Sequence, residues 1–146
     1  MADNPTPELF LQGRALVVGA NHRSSSMILR DRLFVEDSAA PFILERLKNA
    51  GIEQALVLST CDRVEVQAFC RNLVVSEAET ARRIVEILAE HGELGPEEMD
   101  GQTYVHWDQQ AVRQIFAVTA SLDSLIIGEP QVLGQVKTAH RLAKQL

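Results

Sequence analysis

Two kinds of hydrophobic spacing alternate along the chain. Short runs in which apolar residues are contiguous, or alternate with polar ones, are typical of strands. They cover residues 15–19, 55–59, 64–70 and 103–107. Apolar residues that recur every three or four positions are typical of helices, and they cover residues 27–34, 38–51 and 76–92. The pattern therefore predicts four strands, with helices between the first and second and between the third and fourth.

Local signals mark where these helices begin and end. The helix that begins at Ser38 has Pro41 in its first turn and ends at Gly51, which are favoured residues for those places. Ser76 is followed three residues later by Glu79, the pattern of a capping box. Between the second and third strands, Thr60 to Arg63 is the expected turn.

Two further helices are predicted after the fourth strand. Asp108 is the expected N-cap of the first. Its inward stripe is predicted to be Val112, Ile115, Phe116 and Thr119. The second begins at Glu129 and Pro130, and neither Gly nor Pro follows its apolar stripe before Leu146. We expect it to be the start of a longer connecting helix.

The order β-α-β-β-α-β is that of the split βαβ arrangement. It predicts an α+β, ferredoxin-like domain with an antiparallel sheet over residues 13–146. Residues 1–12 are a polar segment with two prolines, and we predict that they form a disordered leader.

Composition narrows the class of protein. The 146 residues suit one domain, and 46% hydrophobic with 23% charged residues is ordinary for a globular chain. The net charge of −6 argues against non-specific binding to nucleic acids or anionic membranes. No apolar run reaches the roughly 18 residues that a membrane span needs, and the N-terminus does not resemble a signal peptide. We therefore expect a cytoplasmic protein without a membrane partner.

The candidate chemistry centres on Cys61. Cys70 shares a strand face with apolar residues and is expected to be buried, whereas Cys61 lies at a turn with Arg63 nearby to favour a thiolate. From the residues alone, Cys61 is either structural or a nucleophile, and His22 is either a solvated loop side chain or a functional one. The four histidines lack metal-ligand spacing, so no metal is expected. Neither nucleotide-binding glycine motif occurs.

Three stretches, in order, make the chain recognisable. The first is Gly-Ala-Asn-His-Arg-Ser, which starts at Gly19 and leads on to Arg30-Asp31. The second is Ser-Thr-Cys-Asp-Arg-Val-Glu, which ends at Glu65. The third runs over residues 122–137 and contains Gly-Glu-Pro-Gln-Val-Leu-Gly-Gln-Val-Lys. Together they resemble the signatures of glutamyl-tRNA reductases, from about Ala15 to the end of the chain.

The resemblance implies an activity and its setting. Members of this family reduce the carboxyl carbon of tRNA-bound glutamate with NADPH to glutamate-1-semialdehyde, which starts tetrapyrrole (porphyrin and heme) synthesis. Their N-terminal domain is catalytic, a central domain holds NADPH, and a C-terminal domain forms a homodimer. This chain matches the first, so we expect it to transacylate but not reduce. The implied partners are glutamyl-tRNA and the aminomutase that follows in the pathway.

The same resemblance assigns the site. It makes Cys61 the nucleophile that takes the glutamyl group as a thioester. The implied substrate contacts are Thr60, Cys61, Asp62, Arg63, Ser124, Glu129, Pro130, Gln131 and Gln135. An Arg fork suits a carboxylate and a Glu suits an ammonium group, so Arg63 and Glu129 are the hypothetical specificity pair.

Two departures from the family pattern bear on activity. Asp62 replaces the usual Asn and would disfavour a thiolate at Cys61, unless it is turned away or paired with Arg63. Gln114 stands where the family has an assisting His, and an amide cannot take a proton. His22, or else His106, is then the candidate base. Two alternatives stay open: a catalytically degraded relative that binds tRNA or a partner, and a free-standing cysteine esterase.

Overall fold

The computed structural model describes residues 13–120. Its strands are β1 (Arg14–Asn21), β2 (Gln54–Ser59), β3 (Arg63–Cys70) and β4 (Tyr104–Trp107). Its helices are α1 (Met27–Leu33), α2 (Ala40–Asn49), α3 (Glu77–His91) and α4 (Asp108–Thr119), with a 3-10 turn at Pro96–Met99. Each strand and helix predicted within this range is therefore confirmed. The predicted leader, residues 1–12, and the helix predicted from Glu129 lie outside the described residues.

The four strands form one sheet in the order β2-β3-β1-β4, and each neighbouring pair is antiparallel. The inner strand β1 pairs with β3 over its whole length, from Arg14 opposite Cys70 to Asn21 opposite Arg63. On its other edge β1 pairs with β4, where Gly19 lies opposite Tyr104. The predicted α+β class and antiparallel sheet are confirmed.

One face of the sheet carries the main hydrophobic core. Leu16, Val18, Val64 and Val66 are fully buried there against apolar side chains of α1, α2 and α3. Cys70 belongs to the same cluster and is 3% exposed, so its predicted burial is confirmed. Burial raises the pKa of the Cys70 thiol, with a smaller contribution from Glu53.

The opposite face of the sheet is buried along most of β1 and β3, and on β3 it carries polar side chains. Because side chains alternate along a strand, Arg63, Glu65 and Gln67 of β3 all lie on this face. Helix α4 packs against it, and the Gln114 side chain reaches Glu65. A sheet covered on both sides explains why β1 reads as a continuous apolar run.

The beginnings of two helices differ from prediction. Helix α2 begins at Ala40 rather than Ser38, because the backbone N–H groups of Ala39 and Ala40 donate to the Glu36 carbonyl and hold a preceding turn. Asp108 is the first residue of α4 rather than its cap, with a φ of 54°. Its carboxylate instead accepts hydrogen bonds of 2.7 to 3.0 Å from the Arg14 guanidinium. A bidentate pair competes successfully with a cap.

Half of the predicted capping box is present. Ser76 Oγ accepts a hydrogen bond from the Glu79 backbone N–H at 3.1 Å. The Glu79 carboxylate, however, pairs with Arg82 and Arg83 of the following turn, so an i,i+3 and i,i+4 ion pair takes the place of the return contact.

The predicted inward stripe of α4 is wrong by about one residue. Ala111 and Val118 are buried, whereas Val112 and Phe116 are 39% and 68% exposed. The face that meets the sheet therefore includes Gln114, because its amide is drawn toward a buried carboxylate. The spacing of apolar residues could not predict this polar contact.

Candidate active site

The β2-β3 turn presents Cys61 to solvent. The Thr60 backbone N–H donates to the Arg63 carbonyl at 2.7 Å, and Thr60 Oγ1 accepts from the N–H groups of Asp62 and Arg63, both at 3.1 Å. Thr60 is therefore buried while Cys61 is exposed as a free thiol. The predicted turn and the accessibility of Cys61 are confirmed. The observed function of the Thr60 side chain is to shape the turn.

Arg30 connects this turn to the loop after β1. Its Nε donates to the Cys61 carbonyl at 3.5 Å, and its Nη1 donates to the carbonyls of Asn21 and Ser25 at 3.2 and 2.6 Å. Arg30 belongs to helix α1 and is only 8% exposed, whereas most Arg side chains in proteins are exposed. Sequence reasoning included Arg30 in a signature but did not name it as a site residue, because no local pattern distinguishes a buried Arg from a solvated one.

The loop that carries His22 lies at the same end of the sheet as Cys61. Asn21 opposes Arg63 in the β1-β3 pair, and its Oδ1 accepts from the backbone N–H groups of Arg23 and Ser24. His22 is half-buried, and its Nδ1 lacks a hydrogen-bond partner among the described residues. Its function as a base stays a prediction.

A cluster of buried and half-buried polar side chains surrounds Glu65 on the second sheet face. Its carboxylate accepts hydrogen bonds from Arg63 Nη1 at 3.1 Å, Gln67 Nε2 at 2.7 Å and Gln114 Nε2 at 2.9 Å, and from the Tyr104 hydroxyl. Glu65 is fully buried, and the Arg63 side chain is 5% exposed. We call these five residues the Glu65 cluster. Sequence reasoning named Arg63 and Gln114 but missed Glu65, although it lies two residues from Arg63, on the same face of a strand.

Gly19 leaves room for the contact between Tyr104 and Glu65. It lies in β1 between Glu65 of β3 and Tyr104 of β4, so the absence of a side chain lets the Tyr104 hydroxyl cross β1 to the carboxylate. A Cβ at this position would lie 2.5 Å from the Val64 carbonyl oxygen and 2.9 Å from the Glu65 Cα. Any side chain here would push β1 away from β3.

His106 lies further along the same face. Its ring stacks on Tyr104, with centroids 5.3 Å apart. It pairs with Val17, which is four residues along β1 from Asn21, or roughly 13 Å at strand spacing. Of the two candidate bases, His22 is thus the one at the Cys61 end of the sheet.

A cleft of about 1260 Å³ opens at the opposite end of the sheet. Its walls include Leu44, Leu56, Gln67, Phe69 and Val112. Thr60, Cys61, Asp62 and Arg63 are not among its lining residues, so it is separate from the turn.

The chain is similar in sequence to known proteins over most of its length. The family model for the Glutamyl-tRNAGlu reductase, N-terminal domain, matches residues 18–146. The chain belongs to the glutamyl-tRNA reductase family. It is 42% identical to the glutamyl-tRNA reductase of Rubrobacter xylanophilus over 131 residues, which are 88% of this chain and 29% of that protein. It is 39% identical to that of Acidothermus cellulolyticus over 132 residues, 89% of this chain and 27% of that protein.

A solved structure agrees with this assignment. Glutamyl-tRNA reductase from Methanopyrus kandleri superposes with a TM-score of 0.62 at 27% identity, covering 90% of this chain and 28% of that one. The chain thus spans under a third of the length of the relatives it matches. Its similarity to glutamyl-tRNA reductases lies in their N-terminal domain.

Asp62 and Gln114, the two departures implied by the resemblance, have defined surroundings. Asp62 is half-buried beside Cys61, and the buried ion pair of Arg63 is made with Glu65. Gln114 donates to Glu65 from α4. The remaining site residues implied by the resemblance lie outside the described residues: Ser124, Glu129, Pro130, Gln131 and Gln135.

Several kinds of site are not seen in residues 13–120. No three His, Cys, Asp or Glu side chains there are grouped to hold a metal ion. None of the described helices is long and apolar enough to cross a membrane. The described sheet is antiparallel throughout, whereas a dinucleotide-binding unit has parallel strands joined by a crossover helix. We assign no hydride step to these residues.

Proposed function

We propose that Cys61 takes the glutamyl group from glutamyl-tRNA as a thioester, the first half of a glutamyl-tRNA reductase reaction. The thiolate Sγ attacks the ester carbonyl carbon, an S–C bond forms, and the C–O bond to the tRNA ribose breaks. The released ribose oxygen takes up the proton that the thiol lost. The observation that carries the proposal is the exposure of Cys61 on a turn whose next strand begins with buried Arg63.

Covalent capture makes the later reduction easier. Sulfur donates less electron density into a carbonyl than oxygen does, so a thioester accepts hydride more readily than the original ester. Splitting one hard reduction into transacylation and hydride transfer lowers each barrier. In the full-length enzyme, a domain outside the part that this chain matches would hold NADPH, which would supply the hydride for glutamate-1-semialdehyde.

The chain's own residues supply recognition and activation. Arg63 is proposed to bind the glutamyl side-chain carboxylate, and Glu129 the ammonium group. The other proposed contacts are Thr60, Asp62, Ser124, Pro130, Gln131 and Gln135. His22 is the proposed base, supported by its position at the Cys61 end of the sheet.

The wider setting belongs to the same proposal. The sheet order β2-β3-β1-β4 supports a ferredoxin-like arrangement. We propose that the full-length enzyme is a cytoplasmic homodimer of the tetrapyrrole pathway and that it passes its aldehyde to the aminomutase.

A single-turnover experiment tests the thioester. The chain is mixed with glutamyl-tRNA in the absence of NADPH, and intact-protein mass spectra are recorded with time. We expect a glutamyl adduct that decays by hydrolysis and a matching loss of charged tRNA. Cys61→Ala should give no adduct, whereas Cys70→Ala, which changes a buried thiol, should give the wild-type adduct. An absent wild-type adduct, or one retained in Cys61→Ala, rejects the mechanism.

A second function is favoured by one observation. The Gln114 amide donates to Glu65 and cannot itself take up a proton, and the resemblance implies that this is the position of the family's assisting His. The alternative is a degraded relative that keeps affinity for tRNA or a partner and has lost chemistry. Retained binding of glutamyl-tRNA, together with no alkylation of Cys61 by iodoacetamide near neutral pH, would favour it.

A further inference from the structure

We infer that Glu65 is a positioning residue that holds Arg63 in the orientation needed to recognise the glutamyl carboxylate. The inference rests on the proposed function of Arg63 and deepens it. The Glu65 carboxylate accepts hydrogen bonds from four side chains, and as an anion it repels a substrate carboxylate, so it does not bind that group itself. It acts through the guanidinium that it binds.

The hydrogen-bond pattern restricts the Arg63 side chain. Nη1 donates to both Glu65 and Tyr104, at 3.1 and 3.3 Å. Two acceptors on one nitrogen fix the plane of a rigid guanidinium, because its five N–H groups point in set directions. Reading a substrate carboxylate with two parallel hydrogen bonds depends on that plane.

Glu65 is in turn fixed from three parts of the fold. Gln67 donates to it from the same strand, Tyr104 from β4 across Gly19, and Gln114 from α4. A buried carboxylate with several donors is stable in one orientation, whereas an unpaired one would be costly. Because Gln114 of α4 contacts Glu65 and Glu65 contacts Arg63, the packing of α4 on the sheet influences the orientation of the Arg63 guanidinium.

Positioning and simple charge have opposite consequences. Glu65 and a substrate carboxylate repel each other, so if Glu65 acted only through its charge, removing that charge would strengthen preference for glutamate. If Glu65 acts by positioning, any change that breaks its contacts with Arg63 weakens that preference, even when the charge is kept.

The test measures binding in a Cys61→Ala background, so it does not depend on thioester chemistry. Filter binding compares one tRNA charged with glutamate or with glutamine, and discrimination is the ratio of the two Kd values. We expect Glu65→Asp, which keeps the charge but shortens the side chain, to reduce discrimination roughly tenfold, the factor typical of one charge-assisted hydrogen bond. Glu65→Gln should also reduce it.

Controls separate this effect from damage to the fold. Glu77→Asp changes an exposed carboxylate of α3 and should leave discrimination unchanged. If the Glu65 variants do not fold by circular dichroism, Tyr104→Phe removes one hydroxyl donor, keeps the aromatic ring and should reduce discrimination by a smaller factor.

Several results of the binding experiment would overturn the inference. Unchanged discrimination in Glu65→Asp, increased discrimination in Glu65→Gln, or equal weakening for both tRNAs overturns the inference. So does equal binding of both tRNAs by the background protein. A missing wild-type adduct in the mass spectra, by contrast, refutes only the proposed thioester chemistry.

Discussion

Gly19→Ala should destabilise the fold because the added Cβ would collide with β3. The new Cβ would lie 2.5 Å from the Val64 carbonyl oxygen, whereas close carbon-oxygen contacts are about 3.3 Å. Strands β1 and β3 would have to separate locally by roughly 0.8 Å. Overpacking of this kind costs about 2 kcal/mol. Because Ala reduces the entropy of the unfolded chain relative to Gly, about 0.7 kcal/mol is returned.

The net loss of unfolding free energy is therefore about 1.3 kcal/mol. With a urea dependence of about 1.5 kcal/mol per molar, the unfolding midpoint should fall by roughly 0.9 M. The Cβ would also lie 3.1 Å from the Glu65 Cβ, so discrimination between glutamyl- and glutaminyl-tRNA should fall as well.

Gly101→Ala is the matched control. Gly101 has a φ of +74° and nothing within 4 Å of an added Cβ, so only its left-handed backbone opposes the substitution. It should lower stability modestly and leave discrimination unchanged. A Gly19→Ala midpoint within about 0.2 M of the wild type would refute the close approach of β1 to β3.

Three further substitutions and modifications test other parts of the site and fold. Gln114→His should raise the rate of acyl transfer about 100-fold in rapid-quench assays, because it supplies a proton acceptor; an unchanged rate would show that this position does not limit transfer. The Arg14 guanidinium lowers the pKa of Asp108 through a hydrogen bond. The pair thus stabilises the fold above the ordinary Asp pKa, and this contribution is lost as pH falls through the lowered one. Asp108→Asn should therefore unfold up to about 1 kcal/mol more easily near pH 7 but equally easily at pH well below 3.8; a gap that persists in acid would contradict this. Iodoacetamide should label Cys61 in the native chain and Cys70 only in urea, because burial shields Cys70 and raises its pKa; native labelling of Cys70 would contradict its burial.

The sequence determined the elements and the exposed thiol. Strand and helix periods are local properties, so four strands, the first four helices and the turn at Cys61 could be predicted from neighbours a few residues apart. Ser76 and Gly51 likewise mark helix ends through their own backbone and side-chain chemistry. Cys70 was placed correctly by strand parity alone.

Tertiary structure decided what surrounds that thiol. Alternation puts Arg63 and Glu65 on one face, but only the β1-β3 and β1-β4 registers bring Tyr104 to Glu65, with Gly19 between them. The rotation of α4, which turns Gln114 inward and leaves Phe116 exposed, likewise depends on a carboxylate 49 residues away in sequence. A buried polar group needs hydrogen-bond partners, and in this cluster the partners come from parts of the chain that are distant in sequence. No pattern among neighbouring residues indicates which partners the fold will bring together.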